Sequence, residues 1–191
     1  MKISNRDGIL LVILARRAIE SYVIRGQIEK LPDKLSPQLM TKMGVFVTVH
    51  MNANGEKVLR GCIGYPRPIL PLAESTRDVA IKAASEDPRF PPLGPEDLEQ
   101  IRVEVSIISV PEMINVKEPK DYPKEVRVGT DGLILEWSGG SGLLLPQVAE
   151  EEGWDSEEFL CNLCMKAGAP PDNWLSPEAK LYKFSSQIYS E

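Results

Sequence analysis

Residues 45–64 read VFVTVHMNANGEKVLRGCIG, and this stretch carries the clearest structural signal of the chain. Its first part, residues 45–51, is rich in the β-branched and aromatic side chains that favour a strand. Asn52-Ala53-Asn54-Gly55 has the chemistry of a turn, and a second strand is expected over residues 57–63. The stretch therefore predicts a β-hairpin. Its second strand runs into Leu59-Arg60-Gly61-Cys62-Ile63-Gly64, called the 59–64 motif below.

Patterns in the rest of the chain predict helices and further antiparallel strands. Ser4 is a good helix cap, and the apolar stripe that follows predicts a helix over residues 4–25 that ends at Gly26. The other expected elements are helices at 72–83 and from Asp155, strands at 101–107 and 181–189, and a hairpin at 126–137 that turns at Asp131-Gly132. Because strands and helices do not alternate regularly, the sequence predicts an α+β fold with antiparallel sheets.

The charge and the cysteine count limit the class of protein. The chain has 191 residues, and 28 acidic against 22 basic side chains give a formal net charge of −6. This charge argues against general binding to nucleic acid or to anionic membranes. The apolar run at residues 9–15 is far shorter than the ~20 residues of a membrane span. Together with an odd number of cysteines, three, these features predict a cytoplasmic, reducing location.

Cys62 is the best candidate for chemistry. A thiol acts as a nucleophile only when it is ionised, which requires a nearby positive charge, a base or a helix N-terminus. Arg60 lies two residues away and is expected on the same face of the strand. The alternative is a cysteine packed in a tight corner, where Gly61 and Gly64 permit the close approach of another backbone or of a ligand. Catalysis, ligand contact and packing all stay open.

His50 is the only histidine and therefore the only candidate for a Cys–His dyad. When a hairpin loop has an even number of residues, paired positions sum to an odd number, and His50 and Cys62 then lie on opposite faces. A three-residue loop or a bulge would place them on one face. Because the Asn54-Gly55 turn is even, we expect no dyad and a hydrogen-bonded surface histidine.

Cys161 and Cys164 form a Cys-x-x-Cys pair whose position argues against redox chemistry. In thioredoxin-like sites the pair lies at a helix N-terminus, whereas this helix is expected to begin near Asp155. The three cysteines and His50 together match the inventory of a Cys₃His zinc site. Nothing in the sequence indicates that they converge, so core packing is favoured and neither a metal nor another cofactor is predicted.

Two further charged residues are candidates for binding. The loop Asp87-Pro88-Arg89-Phe90 is stiffened by proline, and Arg89 could clamp a carboxylate or phosphate. A structural arginine that bridges two loops is the alternative. Glu104 lies on the polar face of the strand at 101–107. Either exposure to solvent or pairing with Arg60 or Arg89 is expected for it.

Several stretches of the chain form a specific set. They are the 59–64 motif, Asp87-Pro88-Arg89-Phe90-Pro91-Pro92-Leu93, Val103-Glu104-Val105-Ser106, Leu144-Leu145-Pro146-Gln147-Val148-Ala149, Gly153-Trp154-Asp155, Phe159-Leu160, Cys164 and Lys166-Ala167-Gly168. Over residues 5–190 this set resembles the AMMECR domain family, named after the Alport syndrome, midface hypoplasia and elliptocytosis chromosomal region. The chain resembles the stand-alone prokaryotic form, in particular the archaeal one.

The resemblance implies one domain, residues 1–191, of two interleaved lobes with antiparallel sheets, flanking helices and a cleft between the lobes. The larger lobe would hold the N-terminal helix, the first hairpin and the C-terminal strand, and the smaller lobe roughly residues 110–150. No established activity follows from the resemblance. Some prokaryotic relatives are joined to, or encoded with, a radical-SAM protein and a Memo-type domain, which suggests a shared pathway. The chain lacks the Cys-x₃-Cys-x₂-Cys motif of a radical-SAM protein.

Together, these features predict a protein that binds a small molecule or a peptide segment in the cleft, beside the 59–64 motif. If the ligand is modified, Cys62 is the predicted catalytic thiol. The predicted ligand-binding residues are Arg60, Gly61, Gly64, Arg89 and Glu104. A non-catalytic module that docks a protein partner is the alternative. RNA binding is less favoured, because the acidic charge and an aromatic content of 6% argue against base stacking.

Overall fold

The computed structural model of the chain describes residues 2–53 and 56–191. The chain divides into two compact units, the first comprising Met1–Ile108 with Gln187–Glu191 and the second Ser109–Ser186. Each unit contains a four-stranded sheet and helices, so the α+β class with antiparallel sheets is confirmed. The predicted turn at Asn54-Gly55 lies outside the described residues.

The described residues form five α-helices and eight strands. The helices are α1 (Asn5–Arg25), α2 (Leu72–Ser85), α3 (Tyr122–Glu125), α4 (Pro146–Glu151) and α5 (Ser156–Lys166). The strands are β1 (Gly44–Ala53), β2 (Glu56–Tyr65), β3 (Ile101–Ile108), β4 (Glu112–Met113), β5 (Gly132–Trp137), β6 (Gly140–Leu144), β7 (Lys180–Phe184) and β8 (Ser186–Ser190). None of these helices combines the length and the apolar composition that crossing a bilayer requires.

Local signals in the sequence set the ends of α1 as predicted. The Ser4 hydroxyl accepts a hydrogen bond from the Asp7 N–H (3.2 Å) and caps the first turn. At the other end, Gly26 adopts a φ of 64°, a left-handed conformation that glycine reaches at little cost. The apolar stripe of the helix is buried between these ends.

The first sheet has the strand order β2-β1-β3-β8, and the central strand β1 pairs antiparallel with both β2 and β3. Successive side chains of a strand point to opposite faces. Val45, Val47 and Val49 share one face, on which they are fully buried, with α2 packed against β1 and α1 against α2 and β3. Thr48 and His50 share the other face, which carries the candidate site.

The second unit has the sheet order β4-β7-β5-β6, with α5 packed against β5 and β6. The start of α5 is the predicted capping box. The Asp155 carboxylate accepts from the N–H groups of Glu157 and Glu158 (both 2.9 Å), and the Glu158 carboxylate accepts from the Asp155 N–H (3.0 Å). Apolar side chains of α5, among them Phe159, fill the core of this unit.

The hairpin predicted over residues 126–137 is wrong. β5 pairs instead with β6, so the chain reverses between Trp137 and Gly140. The upstream residues form a turn that the Asp131 carboxylate closes by accepting from the Arg127 N–H (2.9 Å), with Gly129 at a φ of 76°. The strong turn chemistry of Asp131-Gly132 therefore ends a local loop before β5 rather than joining two strands.

The single C-terminal strand predicted at 181–189 is also wrong, because this segment forms two strands. β7 belongs to the second sheet and β8 to the first. At the break, Ser185 accepts from the Ser109 N–H (2.9 Å) and donates its own N–H to the Ser109 hydroxyl (3.0 Å). Since β7 pairs with β4 and β5, the second unit extends to Ser186, beyond the 110–150 expected from the sequence.

Candidate functional site

The candidate site lies on the side of the first sheet opposite the valines of β1. We call this side the polar face. It is formed by Phe46, Thr48 and His50 of β1, by Leu59, Cys62 and Gly64 of β2, and by Arg102, Glu104 and Ser106 of β3. At its centre, Thr48 pairs with Cys62 on one side and with Glu104 on the other. The Thr48 hydroxyl donates a hydrogen bond to the Cys62 sulfur (3.3 Å).

A bulge in β2 brings His50 and Cys62 to the same face. Val49 pairs with Gly61, whereas the next residue of β1, His50, pairs with Leu59. Arg60 is therefore the extra residue, and the alternation of side chains shifts by one at this point. The expectation that His50 and Cys62 face opposite sides is wrong for this reason. A glycine inside a strand is a known signal of a bulge, so Gly61 was the clue in the sequence.

Despite the shared face, Cys62 is not paired with a base. Within residues 2–53 and 56–191 the thiol has a hydrogen bond to Thr48 and none to His50. Burial raises the pKa of the Cys62 thiol. The Thr48 hydrogen bond and the positive charge of Arg89 oppose this shift, while the carboxylates of Asp87 and Glu104 add to it. The thiol is consequently protonated at neutral pH.

The outer edge of β2 at Cys62 is occupied by Asp87 and Arg89. The buried Asp87 carboxylate accepts a hydrogen bond from the Cys62 N–H (2.8 Å). Arg89 grips both oxygens of that carboxylate (2.9 and 2.7 Å), and its guanidinium also donates to the Cys62 carbonyl (3.4 Å). The Arg89 hydrogen bond lowers the pKa of Asp87 to about 2. The pair thus satisfies an edge strand that would otherwise expose its backbone.

Arg60 fastens the rest of the same loop to β2. Its guanidinium donates to the carbonyl oxygens of Pro91 (2.7 Å) and Pro92 (3.4 Å), and it lies 3.7 Å from the Asp97 carboxylate. The 59–64 motif and the proline-rich loop, which are separate in sequence, therefore form one structural unit. The sequence did not single out Asp87. Its hydrogen bond to the Cys62 N–H joins two segments that are far apart in the sequence and that only the fold brings together.

The two glycines of the 59–64 motif permit close packing. A Cβ atom at Gly61 would overlap the backbone carbonyl oxygen of Ala83 in α2, and one at Gly64 would overlap the Phe46 ring. The prediction that another backbone approaches the motif is confirmed at Gly61, where that backbone is the end of α2. Both positions exclude larger residues for steric reasons.

Glu104 lies beside Thr48 and pairs with a lysine. Its carboxylate is 3.3 Å from the Lys57 Nζ, and its side chain is 15% exposed. The partners suggested from the sequence, Arg60 and Arg89, are bound instead to the proline-rich loop and to Asp87. Binding of a ligand by Arg60, Gly61, Gly64, Arg89 or Glu104 stays a prediction, as does the cleft between lobes.

Two polar atoms of the polar face have no partner among the described residues. They are the Nδ1 atom of His50 and the hydroxyl of Ser106, which is fully buried. Burial lowers the pKa of His50, as does Lys57, while Glu104 raises it. The imidazole is therefore neutral at pH 7. The prediction of a hydrogen-bonded histidine is wrong at Nδ1, because no side chain of the sheet reaches that atom.

The cysteines of α5 behave as core residues. Cys164 is fully buried in the second unit, and burial raises the pKa of its thiol to about 11. Cys161 is half-buried beside the same core. In the described part of the chain no group of three or more His, Cys, Asp or Glu side chains is arranged to hold a metal ion. Core packing is confirmed for Cys164.

Fold and site define an α+β protein in which an Arg-Gly-Cys strand is locked to an Asp-Pro-Arg-Phe-Pro-Pro loop. The AMMECR1 family model matches residues 12–189, and the chain belongs to this family. The resemblance deduced from the motifs is thereby confirmed.

Archaeal relatives match along the whole chain. A protein of Methanothermobacter thermautotrophicus is 51% identical over 189 residues, which cover 99% of this chain and 96% of that protein. A protein of Thermococcus gammatolerans is 51% identical over 191 residues, covering 100% and 93%. The crystal structure of the uncharacterized protein PH0010 from Pyrococcus horikoshii superposes with a TM-score of 0.95 at 49% identity, covering 100% of this chain and 94% of that one.

Proposed function

We propose that this protein binds a small molecule or a peptide segment on the polar face of the first sheet. The observation that carries the proposal is the pair of buried atoms, His50 Nδ1 and Ser106 Oγ, that no described residue hydrogen-bonds. An unpaired buried polar atom costs about 1–3 kcal/mol, and folded proteins keep few of them. Two on one face, on either side of the half-buried Cys62, favour a site whose hydrogen-bond partner comes from outside the chain.

The spacing of these groups indicates an extended ligand. Ser106 pairs with Phe46, and His50 lies four residues further along β1. At the rise of an extended strand this separation is about 13 Å. Thr48 and Cys62 lie midway between the two ends. Because the chain itself covers both atoms, the ligand displaces the side chains over them. A ligand that spans both atoms has the length of a peptide of about four residues and passes over the Cys62 thiol.

Most charges near the site are compensated, which favours a ligand that hydrogen-bonds well. Glu104 is compensated by Lys57, and Asp87 by Arg89. The exposed Arg102, which pairs with His50 across the strands, donates to the Ile101 carbonyl (2.8 Å) and adds a cation at that end. The other polar groups are hydroxyls, a protonated thiol and a neutral imidazole, all of which can donate or accept. Backbone amides, or a small molecule with similar groups, match this set. The side chain of Arg89, which binds Asp87, is 46% exposed, so a ligand can reach its positive charge.

The residues of the site have two roles: some contact the ligand, and others hold β2 in place. Cys62 contacts the ligand, with Glu104 and Arg89 at its margin. Arg60, Gly61 and Gly64 hold β2 in place through the carbonyls and close packing already described. Because burial raises the pKa of Cys62 and no base among the described residues hydrogen-bonds the thiol, contact by a protonated thiol is favoured over nucleophilic modification.

Protection of Cys62 from alkylation tests this proposal. The protein is treated with iodoacetamide in the presence of acetylated dipeptide and tetrapeptide methylamides, and alkylation of each cysteine is followed by mass spectrometry. We expect at least one peptide to slow alkylation of Cys62 while Cys161, in the same molecule, reacts as before. Ser106→Ala should abolish that protection. The proposal is contradicted if no peptide protects Cys62, or if protection survives in Ser106→Ala.

A module that docks a protein partner is the second candidate, and one observation favours it. Val58 and Leu59, neighbours on the edge strand β2, are 46% and 37% exposed. Titration of a Memo-type protein, followed by calorimetry, tests this alternative. Binding that Val58→Asp removes, and that Val110→Asp at another exposed valine (62%) leaves intact, would favour docking at β2. Binding that survives Val58→Asp would exclude it.

A further inference from the structure

Helix α1 exposes an apolar stripe on the side that faces away from the core. Ile9, Ile13 and Ile24 are 58%, 48% and 60% exposed, and Ile28, just beyond the helix, is 66% exposed. At 3.6 residues per turn the three helical isoleucines lie within about 60° of one another around the axis. Scattered apolar residues are common on surfaces, but a contiguous stripe indicates an interaction site.

Charged side chains complete the stripe. Arg17 and Glu20 project from the same side of α1 as the isoleucines, since all five positions fall within about 80° of arc. Arg17 is exposed and forms no ion pair within residues 2–53 and 56–191. Glu20, whose side chain is 40% exposed, accepts from Arg16 (2.7 Å). Arg16 itself is committed to the sheet, because it also donates to the Ile101 carbonyl (3.2 Å).

A groove runs beside this stripe. Ile9, Ile13 and Arg17 line it on the helix side, and Ser190 and Glu191 line it at the end of β8. Its volume is about 230 Å³, enough to receive apolar side chains from a partner. The face therefore combines a ridge of isoleucines with a neighbouring depression.

We propose that this face binds a second copy of the chain, with the two α1 helices antiparallel about a two-fold axis. One register pairs the helical groups Ile13, Arg17, Glu20 and Ile24. Ile13 then faces Ile24 of the second copy, and Arg17 faces its Glu20. Because the contact is isologous, each of these pairs forms twice.

The self-complementary spacing is what selects a second copy over another partner. In an antiparallel helix pair the two facing positions always have the same sum, and the pairs 13 with 24 and 17 with 20 share one sum. Apolar groups consequently meet apolar groups, and the unpaired Arg17 meets a carboxylate. The helices overlap over residues 12–25, about 21 Å of helix, and Ile24 of the second copy lies over the groove beside Ile13.

Sedimentation equilibrium over a range of protein concentrations tests the dimer. We expect a monomer–dimer equilibrium, and we expect Ile13→Asp to raise the dissociation constant at least about tenfold, because it puts a charge into both copies of the Ile13–Ile24 contact. Ile69→Asp is the matched control, since Ile69 is 50% exposed outside this face. It should leave the dissociation constant unchanged.

A charge exchange tests the register. Arg17→Glu places two carboxylates together across the axis, and Glu20→Arg places two cations together, so each weakens the dimer. The double variant Arg17→Glu/Glu20→Arg restores the opposite-charge contact and should recover the affinity. This recovery cannot arise from damage to the fold, because the double variant carries both substitutions.

Three outcomes would overturn the proposal. The first is a protein that stays monomeric at every concentration. The second is a dimer that Ile69→Asp weakens as much as Ile13→Asp does. The third is a double variant no tighter than the two single variants. The proposal does not depend on ligand binding at the polar face, so either can fail alone.

Discussion

The two faces of the first sheet differ in how completely their side chains are satisfied. On one face Val45, Val47 and Val49 are fully buried. On the other, Thr48 and Cys62 hydrogen-bond each other, while His50 and Ser106 each keep a buried polar atom without a partner in the described chain. The first face is thus satisfied within the fold, whereas the second, on which we propose that a ligand binds, keeps polar atoms unsatisfied.

The residues of the 59–64 motif and of the Asp87–Leu93 loop belong mainly to the framework of the polar face. Arg60 and Arg89 hold the proline-rich loop against the edge of β2, and Gly61 lets α2 approach. Substitution of these residues should therefore greatly lower the stability of the protein. The side chains that project from the polar face itself should matter little for stability and much for binding.

The largest expected effect is on the apolar face. Ile107→Ala removes a side chain that is 1% exposed and pairs across the sheet with Val45. It should lower the free energy of unfolding by about 2–5 kcal/mol, the range for deleting a buried isoleucine side chain. Denaturation in urea measures this. A loss under about 1 kcal/mol would mean that the apolar face is less tightly packed than the burial indicates.

Substitution in the Asp87–Arg89 pair at the edge of β2 should have the next largest effect on stability. Asp87→Asn removes the charge that Arg89 grips and weakens the bond to the Cys62 N–H, so we expect a loss of about 1–3 kcal/mol at pH 7. Asp121→Asn, which removes an exposed carboxylate paired with Lys124, is the control. It should change stability little, because surface ion pairs contribute little.

The ionisation of Asp87 also predicts that the stability of the protein depends on pH. The pKa of Asp87 is lowered to about 2 in the folded protein, below its value of about 3.9 in an unfolded chain. Its stabilising contribution is therefore complete above about pH 4 and is lost as the pH falls towards 2. Urea denaturation between pH 2 and pH 7 should show a smaller decrease for Asp87→Asn than for the wild type. Equal decreases in the free energy of unfolding would contradict a stabilising role of the Asp87–Arg89 pair.

A smaller effect is expected at the thiol. Thr48→Val removes the hydrogen bond that opposes the effect of burial, so the pKa of Cys62 rises further. Alkylation by iodoacetamide at pH 7 should slow roughly two- to tenfold, because a rise of one pKa unit reduces the thiolate tenfold. Cys164, with a pKa of about 11, should stay unreactive in both proteins. Faster alkylation of Cys62 in Thr48→Val would contradict this assignment.

The sequence predicted those elements whose signals are local. The Ser4 cap, the Gly26 stop and the Asp155 capping box each act within a few residues, and the structure confirms all three. The first hairpin is confirmed in the same way. Asp131-Gly132 misled because a strong turn signal does not say which two segments the turn joins.

The candidate site depended on a bulge and on a long-range contact. One extra residue, Arg60, reverses the side on which Cys62 lies relative to His50, and a count of loop residues misses it although Gly61 signals a bulge. The bond from the Cys62 N–H to Asp87 joins residues 25 positions apart. Such a contact depends on how α2 returns the chain to β2, which is a property of the packed sheet.

The free energy of unfolding of Ser106→Ala shows whether the polar face holds a hydroxyl that the fold leaves without a hydrogen-bond partner. If the Ser106 hydroxyl is buried without a partner, its removal leaves stability unchanged or raises it, since no hydrogen bond is lost and an unpaired polar group is eliminated. We therefore predict a change within about 0.5 kcal/mol of zero, or a stabilisation. A loss of about 1 kcal/mol or more would show that the hydroxyl is already satisfied within the fold. The polar face would then be part of the framework rather than a site prepared for a ligand.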